Sequence, residues 1–366
     1  MIAKVSENLI GKNKPCFIIA EAGVNHNGKL SLAKKLIDKA KEAGVDALKF
    51  QTFKSEKIVT PDAKQAGYQT KNIGKRESQY LMLKRLELSY FDFKRLKKYC
   101  DKKGIIFLST PHSCEEDVDL VAKLCPIIKI ASGDLVNLPL LKYAASKQKL
   151  VILSTGMSNL KEVEEAVKTI LPINKKLILL HCTTNYPTPL NEVNLKAMLT
   201  MGKKFNLPVG YSDHTEGIKA SLGAVALGAC VIEKHFTTDR ALPGPDHKAS
   251  LETRELKEMV KGIRNIERRL SQKESLEKII KELDIQKALG DGIKRPQPSE
   301  IEVAKVVRKS IAAGVNIKKG RKIEGNMLVI KRPGIGIKSR YLGKILGKTA
   351  KWDIKKDELI SWDKLV

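Results

Sequence analysis

The chain has 366 residues, with 68 Lys and Arg against 41 Asp and Glu for a net charge of +27, and only 5% aromatic residues. That length accommodates a large core plus a second, smaller domain, and no apolar run is long enough to cross a bilayer. The basic excess is spread over helix faces rather than gathered into one aromatic-studded stripe, which argues against nucleic acid as a partner.

Eight short apolar, β-branched runs recur in order, each ending in polar residues: 16–23, 47–53, 105–112, 127–134, 151–157, 177–187, 208–215 and 230–237. Between them lie helix-period stretches such as 30–44, 91–104 and 160–171, several closing on glycine. Eight β/α units with polar residues at strand carboxyl ends predict a TIM (β/α)8 barrel, whose chemistry sits on that face. An open doubly wound sheet is the competing architecture, but EAGVNHNG after the first strand is not a GxGxxG nucleotide loop. Residues 54–90 form a long polar excursion, read either as a lid or as a solvated insertion. Residues 271–289 have helical character. A Gly/Pro-rich stretch, GDGIKRPQPS, marks a linker over 290–301, between a barrel domain at 1–289 and a small β-rich domain at 302–366. The small domain is too short to rest comfortably on its own core, so it is expected to dock on something.

The six cysteines form no CxxC pair, and several fall within strand patterns. They are predicted to be buried, reduced thiols, and the N-terminal MIAKVSENLIGKNKP has no signal-peptide core, so a cytoplasmic protein is expected.

The densest chemistry lies between Pro208 and Thr238. Two strands joined by one helix end in His214 and His235, and parallel neighbours place their carboxyl ends side by side. With Ser212, Asp213, Glu233 and Thr237 beside them, the two imidazoles predict a divalent metal site with open positions. All six histidines fall at predicted strand ends or in the loops after them, which predicts a catalytic face there. Lys49 and Lys129 lie inside apolar strands and call for anionic partners, either structural carboxylates or a substrate. STP (109–111), ASG (131–133) and STG (154–156) offer a nest of hydroxyls and N–H groups suited to phosphate. Glu21, Asp134, Asp213 and Glu233 are candidate acid/base groups, and Gln51 and Tyr186 could read hydroxyls. Asp246 and His247 follow a stiff Pro-Gly-Pro turn.

EAGVNHNG, KFQTF, STP, KIASGD, LSTGM, HCTTNYPTP, GYSDHT, EKHFT, GPDHKASLE and KRPGIG, in this order, resemble the sialic acid synthase family with its antifreeze-like (SAF) terminal module. The resemblance spans nearly the whole chain. It implies condensation of phosphoenolpyruvate with N-acetylmannosamine and water to give N-acetylneuraminate and phosphate. The alternatives are N,N'-diacetyllegionaminate formation from a diacetamido-trideoxy hexose, pseudaminate formation, and a non-catalytic polysaccharide- or nucleic-acid-binding scaffold. By the same resemblance His214 and His235 hold the metal, typically Mn²⁺, with Mg²⁺ or Co²⁺ as alternatives. Lys49, Thr110, Lys129, Ser132 and Ser154 hold phosphoenolpyruvate, while Glu21, Gln51, Tyr186 and Asp246 line the substrate site. Lys49 and Lys129 are expected to offset charge as the intermediate forms, and Glu21 or Asp134 to handle the water proton. Arg332 of KRPG is implied to reach the active site of a partner in a domain-swapped homodimer.

Three departures stand out. Asp134 occupies a position where the family usually has Glu, His112 follows STP where Phe is common, and 271–289 precedes an ALGDGIK that usually follows the last barrel helix directly.

Overall fold

A computed structural model describes residues 2–366. A hairpin of β1 (Ile2–Val5) and β2 (Asn8–Gly11) opens the chain and buries Val5 and Ile10 in the main core. Eight parallel strands follow: β3 (Phe17–Gly23), β4 (Ala47–Thr52), β5 (Ile106–Pro111), β6 (Ile127–Ile130), β7 (Leu150–Ser154), β8 (Leu177–Cys182), β9 (Val209–Asp213) and β10 (Val231–His235). Each coincides with one of the eight runs read from the sequence. They form one sheet in the order β5-β4-β3-β10-β9-β8-β7-β6. The end strands β5 and β6 lie against each other without a paired register, so the barrel is nearly closed.

The strands are buried at all but a few positions, as expected where helices cover a parallel sheet. Helices Leu30–Ala43, Tyr90–Lys103 and Leu160–Ile170 occupy the predicted stretches, and the first two end on Gly44 and Gly104 in the left-handed conformation. The segment 271–289 continues the helix Thr253–Ser271 into two short ones, Leu276–Leu283 and Gln286–Leu289. Ile285 packs on Gly223 of the small-residue helix Lys219–Ala226 so closely that a Cβ there would meet Ile285 Cδ1 at 2.1 Å. The segment thus caps an otherwise thin helix with apolar bulk.

The excursion after β4 is folded, not solvated. Its helices Ser55–Ile58, Gly67–Ile73 and Gln79–Lys84 share an apolar cluster of Phe53, Ile58, Val59, Met82, Leu83 and Leu86 with Val24.

Residues 290–307 are strapped to the barrel rather than hanging as a free linker. Asn194 binds Gly292 N and Ile293 O, and the helix Glu300–Val307 buries Glu300, whose Oε1 takes the N–H groups of Met157 and Thr184 at 2.6 Å each. The terminal unit then begins with β11 (Ser310–Ala313), paired antiparallel with β12 (Leu328–Lys331), around an isoleucine-rich core that includes Ile311, Ile317, Ile345 and Ile360. It docks over the mouth of the barrel. Arg332 exchanges backbone hydrogen bonds with Ile58 and Thr60 of the excursion, Arg308 forks onto Glu162 at 2.9 Å, and Lys309 pairs with Asp134.

Candidate active site

One cavity at the carboxyl ends of the strands gathers side chains from all eight. Glu21 comes from β3, Lys49 and Gln51 from β4, Thr110 from β5 with His112 just after it, and Lys129 from β6. Ser154 comes from β7, Cys182 from β8, Ser212 from β9 with His214 after it, and Glu233 and His235 from β10. Successive side chains of a strand point to opposite faces. The alternate positions Phe50, His181, Asp213 and Lys234 are buried without lining the cavity, so they lie on the helix side.

This alternation corrects part of the sequence reading. Asp213 is not a rim acid. It pairs with Lys234 at 2.9 Å, takes Ser221 Oγ at 2.6 Å, and together these hold the outer layer. Nor do all six histidines gather at the site. His181 Nε2 donates to Val193 O at 2.7 Å, His26 packs on Phe50, and His247 bonds Thr237 and Asn27. Only His112, His214 and His235 line the cavity.

The floor is a charge network. Lys49 Nζ lies 2.7 Å from Glu21 Oε2 and 3.7 Å from Glu233, and donates to Thr110 Oγ1 at 2.9 Å. Lys129 Nζ lies 3.5 Å from Glu233 and donates to Ser154 Oγ at 2.7 Å. Burial disfavours the Lys49 ammonium, but Glu21 and Glu233 outweigh it and leave its pKa above the ordinary lysine value. Burial wins at Lys129, which falls below it. Ser132 Oγ accepts from Gly156 N at 2.9 Å, and a Cβ on Gly156 would strike Thr184 Oγ1, so glycine keeps this N–H among the hydroxyls.

Gln51 donates to Glu21 at 3.0 Å. Tyr186 lies tilted at 36° against His214 with ring centroids 4.1 Å apart and meets His235 edge-on at 5.5 Å. Asp246 lines the cavity, and burial pushes its carboxyl up to about 7. Arg332 lines it as well, and within the described chain the segment 290–307 leads from the barrel to the terminal unit that carries it.

Asp134 is placed differently from the expectation. It does not line the cavity. Its Oδ1 takes Lys309 Nζ at 2.6 Å and Asn137 Nδ2 at 3.2 Å, behind the wall formed by His112 and Ala131. Four lining residues, Tyr68, Gln69, Met82 and Leu83, come from the excursion, where no strand register or motif marks them. Cys182, by contrast, was within reach of the alternation argument.

The two imidazoles suit a metal. His214 Nδ1 faces Thr183 O at 2.8 Å, and a carbonyl only accepts, so Nδ1 carries the proton and Nε2 keeps its lone pair. The ring centroids of His214 and His235 are 5.6 Å apart, and His235 Nδ1 is buried with no partner. Among the described residues no cluster of three His, Cys, Asp or Glu converges on one point, so open positions would remain for substrate and water.

Comparison with known proteins identifies the family. The family model described as "NeuB family" matches residues 36–275, and "SAF domain" matches residues 308–366. The chain is 49% identical over 351 residues to the N,N'-diacetyllegionaminic acid synthase of Campylobacter jejuni, covering 95% of this chain and 99% of that one. It is 43% identical to the protein of that name from Legionella pneumophila, covering 96% and 95%. The solved structure of the Bacillus subtilis spore coat polysaccharide biosynthesis protein SpsE superposes with a TM-score of 0.82 at 35% identity, covering 100% of this chain and 99% of that one. A barrel loaded at its strand ends, a docked terminal unit and these likenesses over the full length lead to one conclusion: the chain belongs to the NeuB family of phosphoenolpyruvate-dependent, carbon–carbon bond-forming synthases and ends in a SAF domain.

Proposed function

We propose that the chain condenses phosphoenolpyruvate with the open-chain aldehyde of a diacetamido-trideoxy hexose and water, giving a legionaminate-type nonulosonic acid and phosphate. The observation that carries the reaction is the pair of buried lysines on neighbouring sides of one cavity, each bonded to a hydroxyl and facing two histidines. Two features support the sugar. The relatives at 49% and 43% identity bear the legionaminate name, and one flank of the cavity is apolar, made of Val24, Met82 and Leu83. A 6-deoxy methyl and a second acetyl methyl suit such a flank, whereas N-acetylmannosamine, the first choice from sequence, carries hydroxyls at those carbons. The polar side of Gln51 and Asp246 serves either sugar.

In this reading Lys49 with Thr110 and Lys129 with Ser154 bind the phosphate and carboxylate, and Ser132 with the Gly156 N–H orients them. The lysines are already in place as charge builds, which is the condition for effective electrostatic stabilisation. Entry of the anion shifts both ammonium groups away from Glu21 and Glu233 and frees those carboxylates. Tyr186 holds the aldehyde end against the histidines. His214 and His235 would hold a divalent ion, Mn²⁺ in this proposal with Mg²⁺ or Co²⁺ as alternatives, whose chemistry is to polarise the aldehyde carbonyl. Arg332 supplies a planar fork for an acetamido or carboxylate oxygen.

A homodimer is part of the proposal. Two chains exchanging terminal domains would preserve the contacts of Lys309 and Arg332, since each joins a residue of the barrel or excursion to one beyond 308.

Phosphate release measured with phosphoenolpyruvate and each hexose in turn tests the reading. The diacetamido-trideoxy hexose is expected to give the highest kcat/KM. A higher value with N-acetylmannosamine would return the assignment to N-acetylneuraminate synthesis.

A further inference from the structure

Two polar atoms face each other in the cavity wall without bonding partners. His112 Nδ1 and Asp134 Oδ2 are both buried and unpaired, and they lie 3.9 Å apart. Asp134 is fixed from its other side, where Oδ1 holds Lys309 and Asn137. An ionised carboxylate only accepts, so the imidazole that complements it carries its proton on Nδ1. His112 Nε2 then keeps a lone pair, and this nitrogen, unlike Nδ1, is not sealed off from the cavity that His112 lines. The aspartate stops behind the wall, and the imidazole spans the gap to the cavity.

We propose that His112 is the general base of the reaction and that Asp134 is the residue that positions it. The proposal rests on the condensation stated above. As C3 of the enol bonds to the aldehyde carbon, the carbonyl pair passes to the aldehyde oxygen and C2 becomes electron-poor. Water adds to C2. Its oxygen forms the new bond and its proton goes to His112 Nε2. The C2–O bond to phosphate then breaks with its electron pair on the phosphate oxygen, which takes the proton back from Nε2. The hydroxyl on C2 becomes the ketone, and its proton ends on the former aldehyde oxygen. Carbon, oxygen and charge balance without any further reactant, and the imidazole finishes neutral.

The charged groups around the ring set its protonation. Burial, then the cations Arg332, Lys309, Lys49 and Lys129, hold the imidazole well below its ordinary pKa, so it is neutral and weakly basic, and the proton it takes is one made acidic as water bonds to the electron-poor C2. Asp134 is the carboxylate directly facing it, 3.9 Å away.

The test is phosphate release by the full chain across pH 5 to 9, with thermal melts to confirm folding. His112→Phe, a ring of similar size, and His112→Gln, which keeps a hydrogen bond but is no base, should each lower kcat by about 10²-fold. The KM for phosphoenolpyruvate should stay within about threefold. Asp134→Asn should lower kcat as well. Asp134→Glu introduced into His112→Phe advances the carboxylate by one methylene and should recover part of the lost kcat. Wild-type kcat in both His112 variants overturns the proposal, as does a raised KM for phosphoenolpyruvate with unchanged kcat, which would make His112 an anion-binding group. If the wild-type chain releases no phosphate with any hexose, the functional reading fails and takes this one with it. Turnover by wild type and both variants alike removes the base alone.

Discussion

Lys309 Nζ sits 2.6 Å from Asp134 Oδ1, a cation of the terminal unit against an anion of the barrel, with 1% of each side chain exposed. The same ammonium donates to the backbone carbonyl of His112. Removing one partner of a buried pair strands the other charge, at a cost of about 3–5 kcal/mol. Lys309→Ala is therefore expected to lower the denaturation midpoint and to open the segment 290–308 to limited proteolysis. Replacing both partners by apolar residues should recover much of the stability, as measured by urea titration. Equal losses in the single and double variants would mean that the pair contributes little beyond packing.

Lys129→Ala should raise the KM for phosphoenolpyruvate far more than that for the sugar, because Lys129 reaches Ser154 and Glu233 on the anion side of the cavity. Steady-state kinetics with each substrate varied in turn decides this. A change confined to the sugar would reassign the residue.

Asp246 is carried by burial up to about 7, above the roughly 3.9 of an unfolded chain. The folded state therefore binds more protons than the unfolded one between those values, so this group's contribution to stability is full below about pH 4 and declines as pH rises to about 7. Asp246→Asn should stabilise the fold at pH 8 relative to wild type and much less at pH 5, while activity falls. Parallel urea titrations at the two pH values measure the difference, and an identical shift at both would show that the carboxyl is not perturbed.

Two imidazoles hold a divalent ion weakly, so chelator should abolish turnover and Mn²⁺ restore it. Mn²⁺ binding followed by calorimetry should be lost in His214→Ala and in His235→Ala. Full activity in chelator removes the metal role of the pair.

The eight strands were legible because each is a continuous apolar run with a polar end, and the cavity residues follow from alternation once the strands are placed. His181 and Asp213 were misread because they occupy the outward phase of β8 and β9, beside inward residues of similar chemistry. Asp134 was misread because its partner, Lys309, is 175 positions away and belongs to another unit. Tyr68 and Met82 had no local signal at all, since a helix in an excursion gains its function from the surface it covers.

Arg332 completes the cavity of its own chain here, and an exchanged pair would use it equally well. Mixing an Arg332→Ala chain with a His214→Ala chain, each nearly inactive, separates the two arrangements. Supply within one chain predicts no recovery in demonstrably mixed dimers. Supply across chains predicts that part of the activity returns, because one site of each mixed pair then has both parts intact.

The lysine at 309 also touches both sides of the one seam that the sheet leaves unpaired, at its carboxyl end. His112 follows β5 and Asp134 follows β6, and between those strands no hydrogen-bonded ladder runs. The terminal unit is thus a keystone as well as a cover, joining across the gap what the backbone does not. Amide hydrogens of Ile127–Ile130 along that seam should exchange faster whenever the unit lifts, so the barrel's slowest breathing and the site's opening would share one rate.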